Sequence, residues 1–213
     1  GEKLLENYSL KLLRGQSEPI PLNQNIVPIF LVLDAALLGY MISSVIIFQE
    51  KEEGTLRALR VTPMTPLVYI GSKTVLYVLM GLAYGAPAVL AARGFSANYL
   101  NLLIVLSLFS VLMTLLGISI AVFFRNMSEW LFGGVFVLIL LILPSISYGI
   151  PAFAPTWITG LPTFPVIFAV RDAMFYSASL ASIGSVVWML LLEIALMLVV
   201  CYLAVSRKLL RNG

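Results

Sequence analysis

Five long apolar runs place the strongest constraint on the fold of this 213-residue chain. Each reaches the roughly 20 residues that a helix needs to cross the hydrocarbon core of a bilayer. The runs cover residues 26–48, 67–92, 99–124, 130–150 and 182–205. Only 11% of the residues are charged, against about 25% in soluble domains. Because backbone polar groups in lipid must be paired within the protein, the sequence predicts an all-α, polytopic helical membrane protein.

A dense cluster of charge lies between the first two runs, in the sequence QEKEEGTLRALRVTPMTP at residues 49–66. Thr55 can cap a short helix, and Pro63 can end it because the residue before a proline is disfavoured in the α region. Gly54 lacks a Cβ and can turn the chain onto the membrane surface. Thr65 can cap the next helix, which a proline opens. The pattern predicts a short helix along one membrane face.

The distribution of Lys and Arg orients the chain, because cytoplasmic loops carry an excess of these residues. If residues 49–66 are cytoplasmic, the inner side holds Lys51, Arg57, Arg60, Lys73, Arg125, Arg207, Lys208 and Arg211, and the outer side holds Lys3, Lys11, Arg14, Arg93 and Arg171. Residues 1–24 then form an extracytoplasmic or interfacial segment, and residues 25–213 form the transmembrane domain. The same charges also fit an ordinary connection that only orients the protein.

A second informative segment, residues 151–178, separates the last two runs. Its prolines prevent a continuous spanning helix, yet its aromatic residues are too apolar for a solvated loop. Broken backbone at membrane depth is tolerated where protein or a cavity covers it, so the segment predicts extracellular re-entrant helices. Its candidate residues are Pro151, Pro155, Trp157, Pro165 and Arg171.

Two carboxylates, Asp34 and Glu193, lie within the apolar runs. Ionisable residues inside a membrane are expensive and are functional candidates by default. They could contact a cationic or amphiphilic cargo, or bind a proton. Alternatively, each could be a protonated carboxyl that bonds to a neighbouring helix. The sequence leaves these alternatives open.

The sequence also excludes several kinds of chemistry. It has no histidine and one cysteine, which excludes His-ligated metal sites, Ser-His triads and an intrachain disulfide. The run Gly71-Ser72-Lys73-Thr74 lacks the spacing of a phosphate-binding loop. We therefore expect no catalytic residue, metal or cofactor on this chain. Its basic residues flank the apolar runs, which fits contact with membrane lipids and not with nucleic acid.

Two motifs resemble those of the type 2 ABC exporter permeases, in particular the fluoroquinolone-export permeases. The first comprises Glu50, Glu52-Glu53-Gly54-Thr55-Leu56, Leu59, Thr62-Pro63 and Gly71-Ser72-Lys73. The second comprises Pro144-Ser145, Gly149, Pro151, Pro155, Trp157-Ile158, Pro162, Pro165 and Arg171. The second motif departs from the family pattern, because Tyr148 precedes Gly149 and Thr163-Phe164-Pro165 replaces the usual Asn-Pro. The resemblance covers nearly the whole chain from Ile26 onward.

The resemblance implies a membrane subunit that exports a hydrophobic drug or lipid-like molecule across a prokaryotic cytoplasmic membrane. In that family the segment after the first run is a cytoplasmic coupling helix that docks on an ATP-binding subunit, which holds the ATP and Mg. The residues implied for docking are Glu50, Glu53, Gly54, Thr55, Leu56, Arg57, Leu59, Arg60 and Pro63. A second permease copy or a paralogue would complete a dimer. The family has six spans, which implies a further span before Gly1.

Two other functions remain to be weighed against export. A proton-coupled secondary transporter could use Asp34 and Glu193, although the sequence shows no inverted repeats that would favour it. An intramembrane aspartyl protease needs two facing acids around a catalytic water. The two acids here differ in predicted depth, so the sequence disfavours a protease.

Overall fold

A computed structural model of the protein describes residues 22–55, 64–150, 153–176 and 180–211. Within these ranges every regular element is a helix. Five helices are long and apolar enough to cross a membrane, namely Val27–Glu52, Pro66–Ser96, Tyr99–Ala121, Met127–Gly149 and Ile183–Lys208. The predicted all-α polytopic fold is confirmed, and the chain is a multi-pass membrane protein.

We number the helices in chain order. They are α1 (Leu22–Asn25), α2 (Val27–Glu52, with a π-helical stretch at Leu37–Ile42), α3 (Pro66–Arg93), α4 (Tyr99–Ala121), α5 (Met127–Gly149), α6 (Thr156–Thr159), α7 (Thr163–Phe175) and α8 (Leu180–Ala204, continued as a π-helix over Val205–Arg211). The bundle has two ends. The Gly54 end carries the α2–α3 and α4–α5 connections, and the Arg171 end carries α6 and α7.

Helix α4 forms the centre of the bundle. In the most apolar 18-residue stretch of α4, 61% of the residues are buried, whereas the corresponding stretches of α8 and α3 are 11% and 22% buried. Helix α4 packs against α2, α3, α7 and α8. Its buried hydroxyls bond to carbonyls of their own helix, from Thr114 to Ser110 at 2.8 Å and from Ser119 to Leu115 at 2.6 Å. Helix α4 can therefore be surrounded by protein without leaving these polar groups unpaired.

The backbones of α2 and α4 approach each other closely. A Cβ added at Gly39 would lie 2.8 Å from the Cβ of Met113, and one at Gly117 would lie 3.0 Å from the carbonyl carbon of Tyr40. The Ser44 hydroxyl donates to the Gly117 carbonyl at 3.1 Å. Small residues permit such crossings in membranes, where packing and interhelical hydrogen bonds hold helices together.

The helix ends show how local sequence sets the boundaries. Helix α2 continues to Glu52, four residues beyond the predicted end of the first run. The predicted cap at Thr65 is confirmed, because its hydroxyl accepts from the Val68 N–H at 3.3 Å. Helices α3 and α5 both continue through an internal proline, Pro87 and Pro144 respectively, so neither proline breaks its helix.

Candidate functional site

The Gly54 end contains a cluster of charge centred on Glu50, in the last turn of α2. The Glu50 carboxylate accepts a hydrogen bond from the Tyr69 hydroxyl at 2.5 Å and forms an ion pair with Lys73. Both partners lie on α3, one turn apart. The Glu50 and Lys73 side chains are only 14% and 18% exposed. The pair therefore joins the two helices that flank the predicted coupling helix.

Lys51, the residue after Glu50, connects the last turn of α2 to the end of α4. Its ammonium group donates to the carbonyls of Ala121 at 3.0 Å and Phe124 at 2.6 Å, where α4 ends. It also lies 5.0 Å from the centre of the Phe48 ring. A cation at a helix C-terminus satisfies free carbonyls and interacts favourably with the helix dipole. The last turn of α2 is thus held on two sides by residues that are adjacent in sequence.

The α4–α5 turn beside Lys51 is fixed by a reciprocal cap. Asn126 accepts from the Glu129 N–H at 2.8 Å. The Glu129 carboxylate accepts from the Arg125 N–H at 3.1 Å and from the Asn126 amide at 3.3 Å. Such caps satisfy the free N–H groups of the first helical turn. This turn therefore gives Lys51 a defined partner.

Gly54 begins the connection that follows α2. Its φ of +72° is a left-handed conformation that most other residues adopt only with strain. A Cβ there would meet nothing within 4 Å, so the requirement for glycine is conformational and not steric. Glu53 and Thr55 are exposed beside it and available to a partner. The predicted docking residues Leu56, Arg57, Leu59, Arg60 and Pro63 lie outside the described residues.

A cavity of about 320 Å³ lies between α4, α5 and α8. It is lined by Leu112, Met113 and Leu116 of α4, Val137, Leu140 and Leu141 of α5, Glu193, Leu196 and Met197 of α8, and Leu161 and Pro162 from the Arg171 end. Glu193 is the one charged residue of this lining. Its Oε2 atom is buried and has no hydrogen-bond partner within the described part of the chain.

The two predicted intramembrane acids do not share a site in the structure. Asp34 is half-buried on α2 and is absent from the lining of the cavity that contains Glu193. Glu193 is close to the middle of α8, as its position in the last apolar run indicates.

The Arg171 end holds the two short helices α6 and α7, in the segment where broken helices are predicted. Pro155 immediately precedes α6, and Pro165 lies in the first turn of α7, a position that tolerates proline. Helix α7 buries one apolar face against α4, α2 and α5. Trp157 is 57% exposed, whereas Ile158 is fully buried. Pro151 lies outside the described residues.

Arg171 contacts residues at its own end of the bundle. Its guanidinium pairs with Asp172 at 2.8 Å and lies 4.8 Å from the centre of the Phe168 ring. Tyr148, which departs from the family pattern, packs edge-on to Phe168 and donates to the Asn25 side chain at 2.8 Å. The departure therefore has a packing role, because it ties the end of α1 to the end of α5.

Sequence reasoning missed the roles of Lys51 and Tyr69. The sequence interpretation treats Lys51 only as an orienting charge and predicts no contact between Lys73 and Glu50, although a signal for the α3 contact is present. Tyr69 and Lys73 are four residues apart and therefore share a helix face. That face carries two donors suited to one carboxylate. The Lys51 contact has no such signal, because its acceptors are backbone carbonyls.

These features define a helical, multi-pass membrane protein, with charged helix ends on one side and an apolar cavity between three helices. The chain belongs to the ABC-2 transporter family, since the model of the "ABC-2 family transporter protein" family matches residues 6–203. The family prediction is confirmed.

Two curated relatives add detail. They are fluoroquinolones export permease proteins of two Mycobacterium tuberculosis strains, CDC 1551 / Oshkosh and ATCC 25618 / H37Rv. Each is 26% identical to the chain over 130 residues, which is 61% of this chain and 55% of the relative. The match thus spans about half the length of these relatives. No solved structure matches the chain.

Proposed function

We propose that the chain is the membrane-spanning permease subunit of an ATP-driven exporter. Its cargo is a hydrophobic or amphiphilic drug or a lipid-like molecule that moves out of the cytoplasm. A separate subunit binds and hydrolyses ATP with Mg, and a second permease copy or a paralogue completes the pathway. Membership of the ABC-2 family and the names of the two relatives support this proposal.

The observation that carries the proposal is the double attachment of the last turn of α2. Glu50 joins this turn to α3, and Lys51 joins it to the end of α4. The exposed residues 52, 53 and 55 follow directly. A partner that pushes on this connection would displace α2, α3 and α4 together, because the attachments are charged and largely shielded from water.

Displacement of α4 would also change the shape of the cavity. Helix α4 supplies part of the cavity wall and packs along α8, which carries Glu193. A movement at the Gly54 end would therefore change the shape of the space that α4, α5 and α8 line. This chain of contacts is the route by which we expect ATP hydrolysis to act on cargo.

The test is transport in vesicles that contain the chain and its ATP-binding subunit. We expect cargo movement to require hydrolysable ATP and to stop when the ATP-binding subunit lacks its catalytic carboxylate. A protonophore should leave the initial rate unchanged. Transport without ATP hydrolysis would contradict the proposal.

The second candidate is a proton-coupled transporter. It is favoured by the buried Oε2 atom of Glu193, which has no partner among the described residues. The same vesicles separate the two functions. A proton-coupled transporter would lose its activity on addition of the protonophore and keep it without ATP.

A further inference from the structure

We propose that the cavity between α4, α5 and α8 binds a lipophilic cation, whose charged group pairs with Glu193 and whose apolar body fills the remaining space. This inference rests on the proposed function, because it names the chemical class of the cargo. It concerns a site within one copy of the chain.

The lining of the cavity carries the first part of the argument. Ten of its eleven residues are apolar, and Glu193 is the exception. An apolar wall with one or a few polar groups is the usual form of a small-molecule site, in which the wall supplies affinity and the polar group fixes orientation. A single carboxylate selects a cation or a strong hydrogen-bond donor.

The unpaired carboxylate oxygen carries the second part. Some buried hydroxyls of the bundle, such as those of Thr114 and Ser119, bond to carbonyls of their own helix. Several neutral polar atoms of the described residues, such as the Tyr77 hydroxyl, are buried without a partner, and Glu193 supplies the one carboxylate oxygen among them. Oε2 of Glu193 has no such partner among the described residues, and no Lys or Arg lines the cavity. A buried polar atom without a partner is unfavourable. A cationic ligand would supply the partner that the described residues do not.

The size of the cavity limits the ligand. About 320 Å³ is near the lower end of the range for small-molecule pockets, roughly 300–1,000 Å³. It suits a compact amphiphile with one ring. A lipid acyl chain could fill the apolar part but would leave Glu193 without a partner. The site should therefore prefer a cation to an uncharged molecule of the same shape.

The experiment measures binding of tritiated (4-phenylbutyl)trimethylammonium to the full chain in lipid nanodiscs. Its competitor is the uncharged analogue in which a tert-butyl group replaces the trimethylammonium group. We expect the cation to bind at least about tenfold more tightly, which corresponds to about 1.4 kcal/mol. Both probes have the same shape, so the ratio reports the charge alone.

Three variants test whether the preference for the cation over the uncharged analogue arises at Glu193 in this cavity. Glu193→Gln should abolish the preference while the uncharged analogue binds as before. Asp34→Asn removes the other intramembrane acid and should change nothing. Leu140→Phe should weaken binding of both probes, because the larger ring reduces the cavity. If Glu193→Gln does not fold, Leu140→Phe and Asp34→Asn still decide whether the cavity is the site.

The proposed site would be contradicted if the two probes bound with equal affinity. It would also be contradicted if the Glu193→Gln variant kept the preference for the cation. Binding that Leu140→Phe leaves intact would contradict it as well. Because binding is measured on this chain alone, the result is separable from the proposed function. ATP-driven transport without cation selectivity would contradict only the proposed cation site. Cation binding without ATP-driven transport would contradict only the proposal that the chain belongs to an ATP-driven exporter.

Discussion

Two acids on spanning helices, Glu50 and Glu193, differ in how the fold treats their charge. Glu50 at the Gly54 end accepts from Tyr69 and pairs with Lys73. Oε2 of Glu193 lies in an apolar cavity without a partner within the described residues. Because burying an unpaired charge is unfavourable, the contacts with Tyr69 and Lys73 account for the burial of Glu50, whereas no described residue pairs with Oε2 of Glu193.

The difference separates two tasks within one bundle. At the Gly54 end, side chains tie helices to one another. Under the proposed function, force on the connection would pass through these contacts into the bundle. At the cavity, the Glu193 oxygen that has no partner among the described residues marks the place where we propose that a ligand binds. If Glu50 and Glu193 differ in this way, substitutions at the Gly54 end should change stability or coupling, whereas Glu193→Gln should change ligand preference.

The largest effect is expected from Glu50→Gln, which removes the charge but keeps an amide oxygen that can accept from Tyr69. Lys73 would be left without its carboxylate in a largely buried position. Breaking a buried pair in this way destabilises a protein by on the order of 3 kcal/mol. The measurement is thermal unfolding of the chain in nanodiscs.

The double variant Glu50→Gln/Lys73→Met supplies the control for that experiment. It should recover much of the lost stability, because neither charge is then unpaired. Glu129→Gln changes an exposed acid at the same end and should have a smaller effect. An equal loss in Glu129→Gln would show that the Glu50 pair has no special role.

A smaller effect is expected from Gly117→Ala at the α2–α4 crossing. The added Cβ would overlap the Ser43 hydroxyl and the Tyr40 carbonyl, so the helices must separate. Overpacking of this kind lowers stability by about 1–3 kcal/mol. Gly71→Ala on α3 is the matched control, because its Cβ would meet nothing within 4 Å. Equal melting temperatures for both variants would argue against a close crossing.

The smallest effect on stability is expected from Gly54→Ala. The left-handed φ of +72° would strain an alanine by about 1–2 kcal/mol. Gly54→Asn should lose less, because asparagine adopts this conformation more readily. The same order, Gly above Asn above Ala, should appear in cargo-stimulated ATPase activity. An alanine variant with full activity would show that the turn is not needed for coupling.

The spans and their caps could be predicted from sequence because they depend on local patterns. Apolar runs of sufficient length specify spanning helices, and the Thr65 cap needs only residues that are adjacent in the chain. The short helices α6 and α7 follow from prolines among aromatic residues. The end of α2 is less well predicted, because Glu50 and Lys51 are charged and yet remain helical through contacts with α3 and α4.

The cavity could not be predicted, because it arises only where three helices meet. Glu193 could be recognised as unusual from its place in an apolar run, but not as a residue that lines a space with ten apolar neighbours. For the same reason the sequence paired Asp34 with Glu193 as candidates, whereas only Glu193 lines the cavity. Such relations depend on packing between distant segments.

The most direct test of the central claim, that the connection after α2 couples ATP hydrolysis to the bundle, is cargo-stimulated ATPase activity of the reconstituted complex with Arg57→Glu/Arg60→Glu. Spanning helices are held by packing within the bundle, so membrane insertion and melting temperature should be unchanged. Stimulation by cargo and binding of the ATP-binding subunit should be lost, since charge contacts at such interfaces are worth on the order of 2–5 kcal/mol when desolvated. Undiminished stimulation would contradict the account and would mean that this connection only orients the protein.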